Sequence, residues 1–286
     1  MKTANFQVDA HQHFWRYTEA EFGWIDDGMA EIRRDFLPSD LKPLLDGCRM
    51  TQTVCVQARQ TVAETDWLLG LASENDWIAG VVGWLPLADR DFPALLDAYA
   101  GQRKLCGLRH VLQAEPDEYF EQPAFQDGIR GMLRHGLVYD LLVLERQLDT
   151  AIRFVDRHPN QIFVLDHAGK PQIGAHELEP WRSRIVALGE RQNVCCKLSG
   201  MVTEADYQRW SIHDLRPYTE TVLDAFGPDR VIFGSDWPVC TVAASYSGWM
   251  DAVDTLLAQL SASERSAILG ENAVRVYGLT GGIIPR

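Results

Sequence analysis

The sequence predicts an α/β protein, a single (β/α)8 TIM barrel over residues 1–286 with a long first βα loop lying on the C-terminal face of the strands. Two observations carry this prediction. Short apolar runs rich in β-branched residues recur eight times, and almost every one is followed by a helically spaced stretch and then a Gly, Pro or Asn break, the alternation that parallel strands and crossover helices produce. The units return at intervals of roughly 25 to 45 residues, as one closed barrel requires. An open doubly wound sheet is the competing architecture, but the glycine-rich loops G-x-G-x-x-G and G-x-x-x-x-G-K with which such sheets cradle phosphates are missing.

The expected strands, in order, are Phe6–Phe14, Thr53–Ala58, Ile78–Leu85, Leu105–His110, Leu137–Val143, Ile162–His167, Val194–Ser199 and Val231–Trp237. The first connection, Trp15–Thr51, contains Trp24, Met29, Arg33, Arg34 and Pro38. It is too long for a plain βα loop, so it is either a lid over the site or a decorated structural loop. Thr61 and Glu64 have capping-box spacing ahead of Trp67, Leu68, Leu69 and Leu71, and Ser261 and Glu264 repeat it ahead of Ile268 and Leu269. Phe125, Ile129, Met132 and Leu133 share a helical period that ends at Gly136, a residue suited to a helix C-terminus.

Composition narrows the function. With 27 Lys+Arg against 40 Asp+Glu the formal net charge is −13, and the longest basic cluster is Arg33-Arg34. Nucleic acid would be repelled rather than bound. A hydrophobic fraction of 46% and a charged fraction of 23% exclude a disordered chain. The six cysteines contain no C-x-x-C pair, so neither disulfide framework nor zinc knuckle is indicated, and adjacent Cys195 and Cys196 should face opposite sides of a strand. Neither a leader nor an apolar membrane span is legible, so a cytoplasmic protein without membrane partners is expected; the sequence assigns no oligomeric state.

Reactive side chains gather where the strands should end. The first strand closes on Asp9, His11 and His13, which a period of two places on one face. The fourth closes on Arg109-His110, the sixth on Asp166-His167, the seventh on Lys197-Leu198-Ser199 and the eighth on Ser235-Asp236-Trp237. Imidazoles with a carboxylate suit a borderline divalent ion such as zinc. The same set also works without metal, with the histidines as hydrogen-bond donors and the aspartate as base. His135, His158, His176 and His213 fall in helices or loops, where solvated or capping roles are expected. Trp15 and Trp237 follow reactive strands and could wall a sugar-like ring. No G-x-S-x-G elbow occurs, which argues against a serine triad.

Eight stretches together carry a family resemblance: VDAHQHFW (8–15), QARQT (57–61), GVVGWL (80–85), GLRHVL (107–112), DHAGKP (166–171), KLSGM (197–201), FGSDWPV (233–239) and NAVRVYGL (272–279). In these the chain resembles the amidohydrolase superfamily, in its amidohydrolase-2 (amidohydrolase-related) branch of sugar-acid lactonases of the L-fuconolactonase and L-rhamnonolactonase type. The resemblance implies that His11 and His13 hold the first-strand metal positions, His167 the sixth-strand position and Asp236 the eighth-strand acid. Superfamily members with two metals carry a bridging Lys or Glu at strand four and a His at strand five, where this chain has Arg109-His110 and Tyr139-Asp140. The implied cofactor is therefore one divalent, zinc-like ion on His11, His13 and Asp236, with His167 as a further ligand position, or none, since not all such lactonases require metal.

The implied activity is a carboxylic ester hydrolase opening the lactone of a sugar acid, an L-fucono-lactone-like deoxyaldonolactone. Asp236 would be the general base, aided by His11, His13 and His167, and Arg109 or His110 would face the oxyanion. Arg109, His110, Trp15, Trp24, Lys197 and Trp237 are the expected substrate contacts, with Arg109, Lys197 and the histidines forming a basic cluster inside an acidic shell. The alternative is a metal-dependent decarboxylase or hydrolase of an aromatic or cyclic carboxylic acid. A barrel that binds a sugar acid without turnover is the third reading.

Overall fold

A computed structural model describes residues 6–280; residues 1–5 and 281–286 of the expected unit lie outside the described residues. Eight parallel strands follow one another around a barrel in the order β1 to β8. They are β1 Val8–Gln12, β2 Gln52–Val56, β3 Ile78–Gly83, β4 Leu105–His110, β5 Val138–Leu141, β6 Phe163–Leu165, β7 Val194–Leu198 and β8 Val231–Phe233. The seam is closed by backbone hydrogen bonds just beyond β8, where His13 N–H donates to Trp237 O at 2.7 Å and Asp236 N–H to His11 O at 2.8 Å. All eight expected runs are present; β4 has the expected bounds, and the other seven end earlier than expected at their C-terminal ends.

The helices are α1 Pro38–Gly47, α2 Val62–Glu74, α3 Phe92–Ala98, α4 Pro123–Leu133, α5 Leu148–Asp156, α6 Trp181–Gly189, α7 Ile212–Phe226, α8 Tyr246–Leu256, α9 Ala262–Ser266 and α10 Asn272–Tyr277. The stretch read as one long loop therefore ends in the barrel's first helix. Pro38 starts α1, where a missing N–H costs nothing, and Leu41 and Leu45 bury its inner face. The remaining loop is pinned by a two-way backbone bridge between Trp15 and Phe36.

The two capping boxes differ. Ser261 and Glu264 form both reciprocal bonds. Thr61 accepts from Glu64 N–H at 3.2 Å, but the Glu64 carboxylate turns instead to the N–H groups of Ala58 and Arg59, at 3.1 and 2.6 Å. That buried carboxylate thus holds the loop after β2. Gly136 has φ +66°, as a helix end turning into a strand demands.

Two apolar layers position the site. Inside the barrel Val8, Ala10, Val54, Val56, Val82, Val138, Val164, Cys195 and Ile232 form one cluster, joined by Val274, Tyr277 and Leu279 from the C-terminal segment. Outside, Tyr139, Leu141, Phe163, Leu165, Cys196, Leu198 and Phe233 pack with residues of the helices. Cys195 and Cys196 take opposite sides as the strand period requires, and all six cysteines are free. Among the described residues no helix is long and apolar enough to cross a membrane.

Candidate active site

The first strand does not keep its period of two. The β1–β2 register pairs Asp9 with Thr53 and Gln12 with Cys55, so β1 carries one extra residue between those pairs. Such a bulge re-aims the side chains beyond it. Asp9 consequently does not join the histidines, contrary to the expected shared face: its carboxylate accepts from Tyr246 Oη on α8 at 3.0 Å and from Ser235 N–H at 2.8 Å. His11 and His13 instead converge, with their Nε2 atoms 3.2 Å apart.

Asp236 and His167 complete the cluster. Asp236 Oδ1 lies 3.3 Å from His13 Nε2, 3.7 Å from His11 Nε2 and 4.0 Å from His167 Nε2. Two glycines make the convergence sterically feasible. A Cβ on Gly200 would fall 2.5 Å from His167 Nδ1, and one on Gly234 would fall 2.6 Å from His11 Cβ. Asp236 itself has φ +58°, a conformation uncommon outside Gly, Asn and Asp.

Each imidazole is anchored through its other nitrogen. His13 Nδ1 lies 2.8 Å from Val56 O, which can only accept, so Nδ1 carries a proton and Nε2 points into the cluster. His11 Nδ1 lies 3.2 Å from Asp166 Oδ1, and His167 Nδ1 2.9 Å from Ser199 Oγ. Imidazoles tied in this way are oriented as metal ligands are. Burial lowers His11 well below the ordinary imidazole value and brings His167 to about 4, despite neighbouring carboxylates. For Asp236 burial acts upward, but His167, His13 and His11 outweigh it and hold the carboxylate below its usual range. The Nε2 atoms of the three imidazoles thus face an ionised carboxylate.

The pH dependence follows. His167 stays neutral down to about pH 4, so its protonation should lower kcat/KM only as pH falls toward that value. Over the same window the folded state binds fewer protons than the unfolded chain, so stability also falls as pH drops, and initial rates must be read before unfolding. A limb centred on 6.5 that NMR titration assigns to His167 contradicts its burial as a neutral imidazole.

Beneath the cluster lies a charged floor. Lys197 Nζ, fully buried, donates to Asp140 Oδ2 at 2.5 Å, pairs ionically with Asp166 Oδ1 at 3.0 Å, and sits 3.2 Å from His11 Nδ1. Tyr277 Oη donates to the other Asp140 oxygen at 2.8 Å. Arg109 binds Asp166 Oδ2 at 3.0 Å and the carbonyl of Gln57, whose amide donates to Arg109 O at 3.1 Å. Lys197 and Arg109 are therefore neutralised by Asp140 and Asp166. The basic cluster expected from sequence is a balanced network, because each buried cation needs a partner.

Above the cluster opens a cavity of about 610 Å³, lined by His13, Arg109, His167 and Asp236 together with Trp24, Arg59, Lys170, Glu204 and Tyr207. Of the six expected substrate contacts, Arg109 and Trp24 line it. His110 points to the other side of β4, where it stacks on Tyr119 and hydrogen-bonds Trp84 Nε1 and Glu115. Trp15 is buried against Phe22, Phe36 and Trp24, and Trp237 against Phe14 and Phe36, so neither walls the cavity. Lys197 is sealed in the floor. His158 is buried rather than solvated, with Nε2 2.7 Å from Gln126 Oε1. The sequence reading assigned no role to Asp140, Asp166, Gln57, Lys170 or Glu204, although Gln57, Asp166 and Lys170 lie in motifs it singled out.

The donor set fits a divalent ion. Two ligands of a tetrahedral zinc, each about 2.0–2.1 Å from it, stand about 3.4 Å apart, close to the 3.2, 3.3 and 3.7 Å separations among His11, His13 and Asp236. The donor atoms of His11, His167 and Asp236 also fall within 4.8 Å of one another.

Comparison with known proteins identifies the family. The chain matches the family described as Amidohydrolase over residues 8–279. It is 42% identical to an L-fucono-1,5-lactonase of Burkholderia multivorans (strain ATCC 17616 / 249) over 287 residues, 96% of each chain. It is 37% identical to the enzyme of the same name from Burkholderia ambifaria over 277 residues, 95% of each. A solved amidohydrolase structure from Burkholderia multivorans with bound zinc superposes with a TM-score of 0.91 at 41% identity, covering 96% of this chain and 99% of that one. Motifs, barrel and matched span together establish that the chain belongs to the amidohydrolase family.

Proposed function

We propose that this protein hydrolyses the lactone ring of a neutral sugar acid, a 6-deoxyhexono-lactone such as L-fucono-1,5-lactone. The observation that carries the proposal is the ionised Asp236 carboxylate within 4.0 Å of three imidazoles at the base of an open cavity. Two relatives named L-fucono-1,5-lactonase, matched over nearly the whole chain, support the substrate class.

In the reaction a water oxygen bonds to the lactone carbonyl carbon while Asp236 accepts the water proton. The tetrahedral intermediate then expels the ring oxygen, which takes that proton back from Asp236. The product is an open hydroxy acid, ionised at neutral pH. Val56 O and Ser199 orient His13 and His167 toward the reacting atoms. Arg109 faces the cavity and its Nε has no partner among the described residues, so it is the donor available to the developing oxyanion. A divalent ion on His11, His13 and Asp236, with His167 beside them, would polarise the carbonyl and acidify water. Trp24, Met29, Leu142 and Val239 give the cavity apolar surface for a C6 methyl group.

Ring opening releases a proton, so a pH-indicator screen of five- and six-membered sugar lactones, with and without chelator, tests the proposal. Turnover of a deoxyhexono-lactone is expected. Turnover confined to aromatic or cyclic carboxylic acids contradicts it.

A further inference from the structure

The segment after β6 has an unusual backbone. His167, Ala168, Gly169 and Lys170 all have positive φ, at 54°, 51°, 69° and 51°. Three of the four carry a Cβ, and the left-handed region costs such residues roughly 1–2 kcal/mol each. Conformations of this kind persist only where surrounding contacts over-determine them, and they concentrate at functional sites. Here Trp181 Nε1 donates to Ala168 O at 2.7 Å and Lys170 N–H to His167 O at 2.9 Å. The left-handed turn delivers two side chains, His167 and Lys170, to the same cavity.

Lys170 Nζ lies 3.3 Å from Glu204 Oε1, and both side chains remain about one-fifth exposed to the cavity. A partly exposed pair of this kind contributes about 0–1 kcal/mol to stability, less than the strain of the turn that places Lys170. Stability therefore does not account for it. A second observation concerns the same cavity. Gln113 lines it and has a buried Oε1 without a partner among the described residues, while Gln60 spends its own Oε1 on Val111 N–H.

We infer that Lys170 and Glu204 form a hydroxyl-reading subsite that selects polyhydroxylated lactones. The inference rests on the lactonase reading given above and names what that reading leaves open, the groups that distinguish a sugar lactone from a plain one. Each ring hydroxyl is both donor and acceptor. Two adjacent hydroxyls therefore match an ammonium that only donates and a carboxylate that only accepts, held side by side. Gln113 Oε1 accepts a hydrogen bond from a further hydroxyl. The pair is net neutral, so it suits an uncharged polyol better than a carboxylate, which Glu204 repels.

The test compares kcat/KM on a 6-deoxyhexono-1,5-lactone with that on unsubstituted δ-valerolactone, for wild type, Lys170→Met and Glu204→Gln. Loss of one charged hydrogen bond should lower the ratio of the two values by about 10- to 100-fold, mainly through KM for the hydroxylated lactone. An unchanged ratio overturns the inference, whether both rates fall together or neither does. Calorimetric binding of the uncharged 6-deoxyhexitol provides a readout independent of turnover and of the lactonase reading. Weaker binding by either variant supports the subsite, and unaltered binding by both removes it. If wild type hydrolyses neither lactone, the lactonase reading fails, and the binding comparison still decides the subsite. Glu204→Gln preserves shape, so its thermal unfolding should match wild type and exclude a folding defect.

Discussion

Asp236→Asn should lower kcat by about 10²- to 10⁴-fold, the range a general base contributes. Asparagine has the same shape but cannot accept the water proton. The fold should not suffer, because the Asp236 backbone keeps its bonds, N–H to His11 O and carbonyl from Cys240 N–H. Asn also tolerates the φ of +58° at this position. Steady-state kinetics with thermal unfolding and metal content measured on the same preparation separate loss of the base from loss of a ligand. A variant with activity within a few-fold of wild type and matching metal content contradicts the assignment.

Lys197→Met should have the largest effect on stability. The ammonium serves Asp140 and Asp166 at once with no exposure to water, so its removal leaves two buried carboxylates facing each other. Breaking a buried pair from one side costs about 3–5 kcal/mol. Burial opposes the charge on Lys197, yet Asp140 and Asp166 outweigh it and raise its pKa, while Lys197, His11 and Arg109 hold Asp166 well below the carboxylate range. Urea denaturation should show the loss, and Lys197→Met with Asp140→Asn should recover part of it by removing one orphaned charge. A loss below about 1 kcal/mol, the worth of an exposed pair, contradicts a sealed floor. Asp166 also orients His11, so activity should fall with stability.

The barrel was legible because its signal is local and repeated. Each strand is a short apolar run and each break a Gly, Pro or Asn, so all eight strands could be placed before the structure was known. That His11, His13, His167 and Asp236 come together was legible for the same reason, since a strand end is readable from hydropathy. The failures share one cause, the direction of a side chain. Asp9 and His11 separate because a bulge in β1 breaks the period of two, and bulge positions have no composition signal of their own. His110 follows Arg109 directly, so in β4 only one of them could face the cavity, and pattern alone did not choose. Trp15 and Trp237 lie beyond strand ends, where alternation no longer orients a side chain, and both turn into the loop packing. Lys170 reaches the cavity only through a left-handed turn, and Glu204 through a turn after β7, geometry that residue types do not announce.

The central claim is that water, assisted by Asp236, attacks the carbonyl carbon of a sugar lactone. Its most direct test is the reaction of a 6-deoxyhexono-1,5-lactone in ¹⁸O-labelled water, with the product examined by NMR and mass spectrometry. The account predicts the open hydroxy acid with a single ¹⁸O, located in the carboxylate, formed faster than in enzyme-free solution. Label at the former ring carbon C5, or no acceleration over the enzyme-free solution, contradicts it.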